Sequence, residues 1–256
     1  MYFTSFSMFF SVNYVSHVLL IEKLTPLLLQ SATRESYPPR VLYVNSFFHY
    51  AVHASDLVNT QTNSPPQPPS WINTNNTSCP HPFFRDQYVY GASKAALLLH
   101  AAHYARRHHG TIHVVSADPG WTATNLNGKP GALLHPPFQW MGFPVQGWGL
   151  QSLLAALFAT KPPAPARFYY ANARNYAILP NILNSPEWKA LPEWMTHRGL
   201  VLWRDWFVVL QGFVLGFCQR QYIAPNFIMP VASEIHNTTL QDQVYEWTQT
   251  LIQEWL

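Results

Sequence analysis

Tyr88-Val89-Tyr90-Gly91-Ala92-Ser93-Lys94, running on into Ala95-Ala96-Leu97-Leu98-Leu99, is the stretch on which the reading of this chain turns. Tyr90 and Lys94 stand in an i, i+4 relation at the start of a segment whose apolar residues predict a helix from Gly91 to Arg107. That spacing puts both side chains on one helix face, one above the other. A phenol has an unperturbed pKa near 10, and an ammonium a few ångströms away favours the phenolate. Lowering the phenol by about three units takes roughly 4 kcal/mol, more than a lysine alone supplies, so a cationic cofactor ring is expected to assist. Such a pair suits general acid–base chemistry on an alcohol or carbonyl.

Outward from this helix, two short β-rich runs flank it. Arg40-Val41-Leu42-Tyr43-Val44-Asn45-Ser46 reads as a buried strand ending in polar residues. Thr111-Ile112-His113-Val114-Val115-Ser116-Ala117 reads as a second, stopped by Asp118-Pro119-Gly120. Gly110 is the expected C′ residue of the helix between them. Further elements follow from periodicity: a helix over Val12–Gln30, a helix over Gln146–Thr160, a short strand over Ala166–Tyr170 and a final helix over Thr239–Leu256. In the last, Leu240, Val244, Trp247, Leu251 and Trp255 form an apolar stripe, with Asn237 or Thr238 as cap. Residues 54–87 are rich in Pro, Asn, Ser and Thr, carry formal sequons at Asn75 and Asn76, and read as a loop insertion. Trp121–Pro144 reads as a Gly/Pro loop. Residues 171–235 are aromatic and punctuated by proline.

Strand, helix, strand, helix, strand in that order predicts an α/β fold with a parallel sheet and right-handed crossovers. Ligands of such sheets sit at the carboxyl ends of the strands. Ser46, Asp118 and Tyr90 all belong at that rim.

The 256 residues suffice for one α/β domain with a sizeable core. A hydrophobic fraction of 48% with only 11% charged residues excludes an ordinary disordered protein. A net charge of +3, with no basic cluster larger than Arg106-Arg107, gives no case for nucleic acid. Cys79 and Cys218 have neither metal nor redox spacing and read as free thiols; the histidines form no metal constellation, so no metal is expected. The apolar N-terminal stretch is interrupted by Asn13, His17, Glu22 and Lys23 and has no basic n-region or cleavage site, so no signal peptide is expected. Trp206–Cys218 is too short to span a bilayer and suits a buried or interfacial segment.

Four marks in order resemble the catalytic half of the short-chain dehydrogenase/reductase family, most closely its retinol-dehydrogenase-like branch. Val12-Asn13-Tyr14-Val15-Ser16-His17 is similar to the helix that carries an active-site Asn, with Ser16 where a Gly is common. Val44-Asn45-Ser46 is similar to the strand end that carries the catalytic Ser. Tyr90-Gly91-Ala92-Ser93-Lys94 matches the Tyr-x-x-x-Lys signature. Asp118-Pro119-Gly120-Trp121-Thr122-Ala123-Thr124 resembles the segment bordering the nicotinamide.

The resemblance implies that Tyr90 exchanges a proton with the substrate oxygen and Ser46 hydrogen-bonds that oxygen. It implies that Lys94 lowers the Tyr90 pKa and holds the nicotinamide ribose, and that Asn13 holds a water relaying protons to Lys94. Tyr90, Lys94, Pro119, Gly120, Thr122 and Thr124 would line NAD(P)(H), with the choice between NAD and NADP open. Without the resemblance, Asn13 also reads as a residue satisfying backbone groups at a helix kink. Ser46 also reads as a strand-end hydroxyl, and Thr124 as a helix N-cap before Asn125.

The fold implied is the C-terminal part of a Rossmann-like doubly wound parallel sheet with flanking helices. Residues 1–256 would form a single, incomplete domain whose N-terminal strands are missing, with 171–235 as a substrate lid. No glycine precedes Gly91, so the glycine-rich turn that cradles a dinucleotide pyrophosphate is not found there. A shortened form is therefore expected, with an exposed edge on the 40–46 strand and weakened cofactor binding.

The implied activity interconverts a small hydrophobic alcohol and its ketone or aldehyde. A steroid or sterol ketoreductase is the nearest alternative, and a non-catalytic fragment binding a partner or membrane surface through Trp203–Cys218 is the other. A homodimer through the helices at 13–30 and 91–107 is implied too. The location expected is intracellular, either cytoplasmic or peripheral on a membrane such as the endoplasmic reticulum.

Overall fold

The computed structural model describes residues 7–35, 37–58, 66–72, 85–119, 151–158, 168–171 and 227–256. Within them the chain is a mixed α/β structure. Strand β1 (Arg40–Val44) pairs in parallel with β2 (His113–Asp118), from Arg40↔His113 to Val44↔Ala117. Strand β3 (Phe168–Ala171) lies parallel on the other side of β2, and β4 (Phe227–Pro230) closes the sheet antiparallel to β3. The order is β1-β2-β3-β4. The parallel β1–β2 pair needs a crossover, and helix α2 (Arg85–Arg107) lies within it.

Helix α1 (Ser16–Arg34) precedes the sheet. It is entered through a turn at Met8–Phe10, capped by the Ser7 side chain, and a π-helical turn at Ser11–Val15. The carbonyl of Val12 accepts from the Ser16 hydroxyl at 2.7 Å and lies 2.8 Å from His17 Nδ1. Helices α3 (Gln151–Phe158) and α4 (Thr238–Ile252) complete the set.

Alternation along the strands divides the core. Val41, Tyr43 and Val114 join the large cluster built with α1, α2 and α4, whereas Leu42, Val115 and Ala117 pack with Leu153 and Ala156 of α3. Helices therefore cover both faces of the β1–β2 pair, which is why these strands read as nearly continuous apolar runs.

α2 is the central element. Ala92, Ala95, Ala96, Leu98 and Leu99 are all inaccessible to solvent, and the helix is buried around most of its circumference. On it packs α4, whose Trp247 stacks on Phe10 with ring centroids 6.0 Å apart. Tyr14 Oη and Thr248 Oγ1, 2.7 Å apart, link the N-terminal turn to the same helix.

Several expectations shift. α2 begins at Arg85 rather than Gly91, so Tyr90 stands in its second turn. The early start has a tertiary cause: the Tyr88 ring lies 5.1 Å from that of Trp71, and its hydroxyl donates to Asp56 at 2.6 Å. Within the 54–87 segment, Ala54, Leu57, Val58, Trp71 and Ile72 join the core, while Ser55, Gln67 and Ser70 are exposed. β4 is a strand inside the stretch expected to be a lid; residues 172–226, with Trp203–Cys218, lie outside the described residues.

Of the helix pair expected to dimerise, only α1 has an exposed apolar stripe, at Leu20, Leu24 and Leu27; α2 lies under α4. β1 is the terminal strand among the described residues, with Val44 45% exposed. Among the described residues no helix is long and apolar enough to cross a membrane, and no group of three or more His, Cys, Asp or Glu residues could hold a metal ion.

Candidate active site

The site lies where β1 and β2 end. One residue beyond β1, the Asn45 N–H donates to the Ala117 carbonyl at 2.8 Å and prolongs the ladder. The Asn45 side chain then works in two directions. Its Oδ1 accepts from the Ser46 N–H at 2.8 Å, and its Nδ2 donates to the Lys94 carbonyl at 3.3 Å. Strand end and helix α2 are thereby tied together by one amide. Ser46 follows in extended conformation, 8% exposed, and its Oγ accepts from Phe48 N–H at 3.4 Å to start a 3-10 turn at Phe47–Ala51.

The Ser46 hydroxyl lies beside the Tyr90 phenol and acts to lower its pKa. The Tyr90 ring is held edge-to-face by Phe9 at 6.0 Å and Phe48 at 5.6 Å. Lys94 Nζ stands 5.7 Å from the centre of that ring and donates to the Val44 carbonyl at 3.0 Å. The two side chains share a helix face, as their spacing dictates.

The electrostatics differ from the expectation. Burial pushes the Tyr90 phenol above its ordinary value; the nearby Ser46 hydroxyl lowers it in part, and the Asp118 carboxylate raises it again. Lys94 is not among the groups that shift it. Burial also lowers Lys94 itself, against the pull of Asp118. The physical reason is placement: the ammonium is bonded to the β1 carbonyl over the ring face, while the phenol is desolvated by two aromatic rings. The site as folded keeps Tyr90 protonated at neutral pH.

Asn13 lies in the π-helical turn, a feature often found at functional positions. Its Nδ2 donates to Ser93 Oγ at 3.3 Å, and Ser93 Oγ donates to the Tyr90 carbonyl at 2.7 Å. Asn13 thus braces the turn that carries Tyr90 and Lys94, one residue short of Lys94. Pro119 directly follows β2 and is half-buried. Gly120, Thr122 and Thr124 lie outside the described residues.

Two residues of the site carried no role in the sequence reading. One is Asn45. The other is Asp118, 2% exposed at the end of β2, whose backbone carbonyl accepts from Ser152 Oγ at 2.6 Å. Its charge reaches both Tyr90 and Lys94. An acidic residue closing the apolar run Val114-Val115-Ser116-Ala117 was the signal available for it, since burying a carboxylate is costly without a purpose.

Chemically, two neighbouring hydroxyls at a strand end can both donate to one substrate oxygen, and a carbonyl so held is polarised. No protein-family profile, curated protein or solved structure matches the chain.

Proposed function

We propose that the chain is an NAD(P)-dependent oxidoreductase of the short-chain dehydrogenase/reductase type, interconverting a hydrophobic alcohol and its ketone or aldehyde. The observation that carries this is Tyr90 and Lys94 on one helix face, with Ser46 beside them and Lys94 Nζ over the Tyr90 ring, at the carboxyl ends of two parallel strands. Helices on both faces of those strands support a Rossmann-like doubly wound sheet, whose ligands bind at that rim.

In the reductive direction the substrate oxygen accepts from Ser46 and Tyr90, and Tyr90 gives up its proton as negative charge develops there. The dinucleotide supplies the hydride when bound. An ammonium has three donors. Val44 takes one from Lys94, and a ribose hydroxyl suits another. No glycine-rich turn precedes a helix among the described residues, so the riboside half of the cofactor is better provided for than its pyrophosphate. The phenol held above its ordinary pKa favours reduction at neutral pH, because the proton donor is then loaded. The Phe9 and Phe48 rings around Tyr90 favour an apolar substrate.

The test is a titration with NADPH and NADH, following energy transfer from the ten tryptophans to the nicotinamide. Saturation below millimolar dinucleotide is the expected result, and saturation at micromolar concentration, about −8 kcal/mol, would mean that other residues replace the glycine-rich cradle. Tyr90→Phe then lowers carbonyl reduction on the order of a hundredfold or more with binding unchanged. Folded protein that shows no saturation up to millimolar dinucleotide would overturn the proposal.

A further inference from the structure

We propose that His49 is a positioning residue that orients Ser46, fixing the direction of its hydroxyl at the rim beside Tyr90. This rests on the oxidoreductase reading given above for its consequence in turnover. His49 stands in the 3-10 turn that Ser46 caps and is 1% exposed. Both of its ring nitrogens meet main chain. Nδ1 lies 2.8 Å from the Ser46 carbonyl oxygen, and Nε2 accepts from the Ala232 N–H at 3.3 Å.

A backbone N–H only donates and a carbonyl only accepts, so the two contacts define one tautomer, with the proton on Nδ1. The Ser46 carbonyl also accepts from the His49 backbone N–H at 3.2 Å. At the other end of the same residue, the Ser46 N–H is held by Asn45 Oδ1 at 2.8 Å. Ser46 is therefore clamped at both of its peptide groups, and its Cα–Cβ direction follows from that clamp. The far anchor, Ala232, lies just after β4, so the ring fastens the end of β1 to the segment that leads into α4.

A ring that merely filled space here would be better apolar, since two buried nitrogens cost free energy unless both are paired. Burial holds the imidazole down at about 4, so it stays neutral across the physiological range and is not a proton carrier for Tyr90.

The experiment compares His49→Asn, which retains a donor near the Nδ1 position, with His49→Phe, which retains the ring shape and no donor. Turnover of decanal with NADPH is followed beside the nitrogen-15 spectra of the imidazoles and of the Ser46 amide. The expected results are an Nδ1–H tautomer for His49 in the wild-type protein and a kcat at least thirtyfold lower in His49→Phe. The NADPH KM stays within threefold, His49→Asn stays near wild type, and the Ser46 amide signal moves only in His49→Phe.

An Nε2–H tautomer, or equal behaviour of the two variants, would overturn the inference. Should His49→Phe not fold, His49→Gln, which keeps an acceptor near Nε2 but no donor at Nδ1, replaces it with the same expectations. If the wild-type protein turns over nothing, the oxidoreductase reading fails, while the tautomer and the Ser46 amide still decide whether His49 orients Ser46.

Discussion

Asp118 and Ser46 act on Tyr90 in opposite directions. The buried carboxylate at the end of β2 raises the phenol pKa, because a nearby negative charge disfavours a second one. The Ser46 hydroxyl lowers it, because a donated hydrogen bond favours the phenolate. Asp118→Asn removes a repulsive charge at nearly constant shape, so the Tyr90 transition moves to lower pH. Carbonyl reduction, which needs the phenol, then loses its alkaline side earlier. Ser46→Ala removes the favourable bond and moves the same transition to higher pH, besides weakening catalysis. The kcat/KM profile of each variant against pH reads both signs, and a shift of the two in one direction would contradict this account. At this scale the legible residues were Ser46, Tyr90 and Lys94, whose types and local spacing already encode a strand-end hydroxyl and a helical pair. Asp118 was legible as a rim residue but not for its action on Tyr90, and Asn45 and His49 were not legible as site residues, since these roles depend on groups remote in sequence: the Tyr90 phenol, the Lys94 carbonyl and the Ala232 N–H. The lowering of Tyr90 by Lys94 was read from proximity along the helix; in the folded protein burial by Phe9 and Phe48 prevails.

Helix α2 holds Tyr90 and Lys94 rigid because other elements enclose it, and its ends and cover are open to test. Gly110 closes the α2 turn with φ of +81°, a left-handed backbone that glycine adopts without strain. A Cβ built there meets nothing within 4 Å, so Gly110→Ala carries only the backbone cost. That cost is about 1 kcal/mol, and urea unfolding should show it as a lower midpoint with an unchanged slope. On the outer face, Asn237 Oδ1 accepts from the Leu240 N–H at 3.2 Å and caps α4. Asn237→Ala should cost about 1 kcal/mol as well. Because the two sites are on different elements, the double variant should lose the sum; a markedly smaller loss would mean that α4 and the α2 end are not independent. The apolar stripe of α4 was legible at Leu240, Val244 and Trp247, all buried. Further on, α4 ends at Ile252 and a 3-10 turn covers Gln253–Trp255. Ile252, four residues after the buried Thr248, continues the inner face, while Leu251 and Trp255 are half-exposed.

Across the molecule, β1 and β2 were legible because both faces of each are covered, which writes the strands as short apolar runs. β4 was not, because Phe227-Ile228-Met229-Pro230 lies within a long aromatic, proline-punctuated stretch and its partner β3 is remote in sequence. The same burial that hides polar groups inside the fold makes the whole protein sensitive to acid. His49 and His100 are both buried and both held below their ordinary value by burial, His49 to about 4. In the unfolded chain each takes up a proton near pH 6.5, whereas the folded protein resists it. A group depressed in this way contributes stability that is complete above its unfolded pKa and is lost as the pH falls towards the folded one. For His49, the interval from 6.5 to about 4 corresponds to about 3 kcal/mol. Glu22, which faces His100 at 3.6 Å, offsets part of the burial effect on that histidine, and Arg107 adds to it. Glu22, Glu234 and Asp242 are held below the ordinary carboxylate range by their hydrogen-bonded and charged partners. Their share is present above about pH 4.5 and disappears only in stronger acid. Two overlapping windows are therefore expected: a loss of stability from about pH 6.5 down to about 4 from the buried histidines, joined below about pH 4.5 by the carboxylates. Urea midpoints should stay level from pH 7.5 to about 6.5 and fall from there to pH 5, and His100→Gln should flatten that fall while lowering the plateau. A wild-type midpoint that stays level to pH 5 would show that the buried imidazoles accept protons in the folded state, and that the core around α2 is wetter than its packing implies.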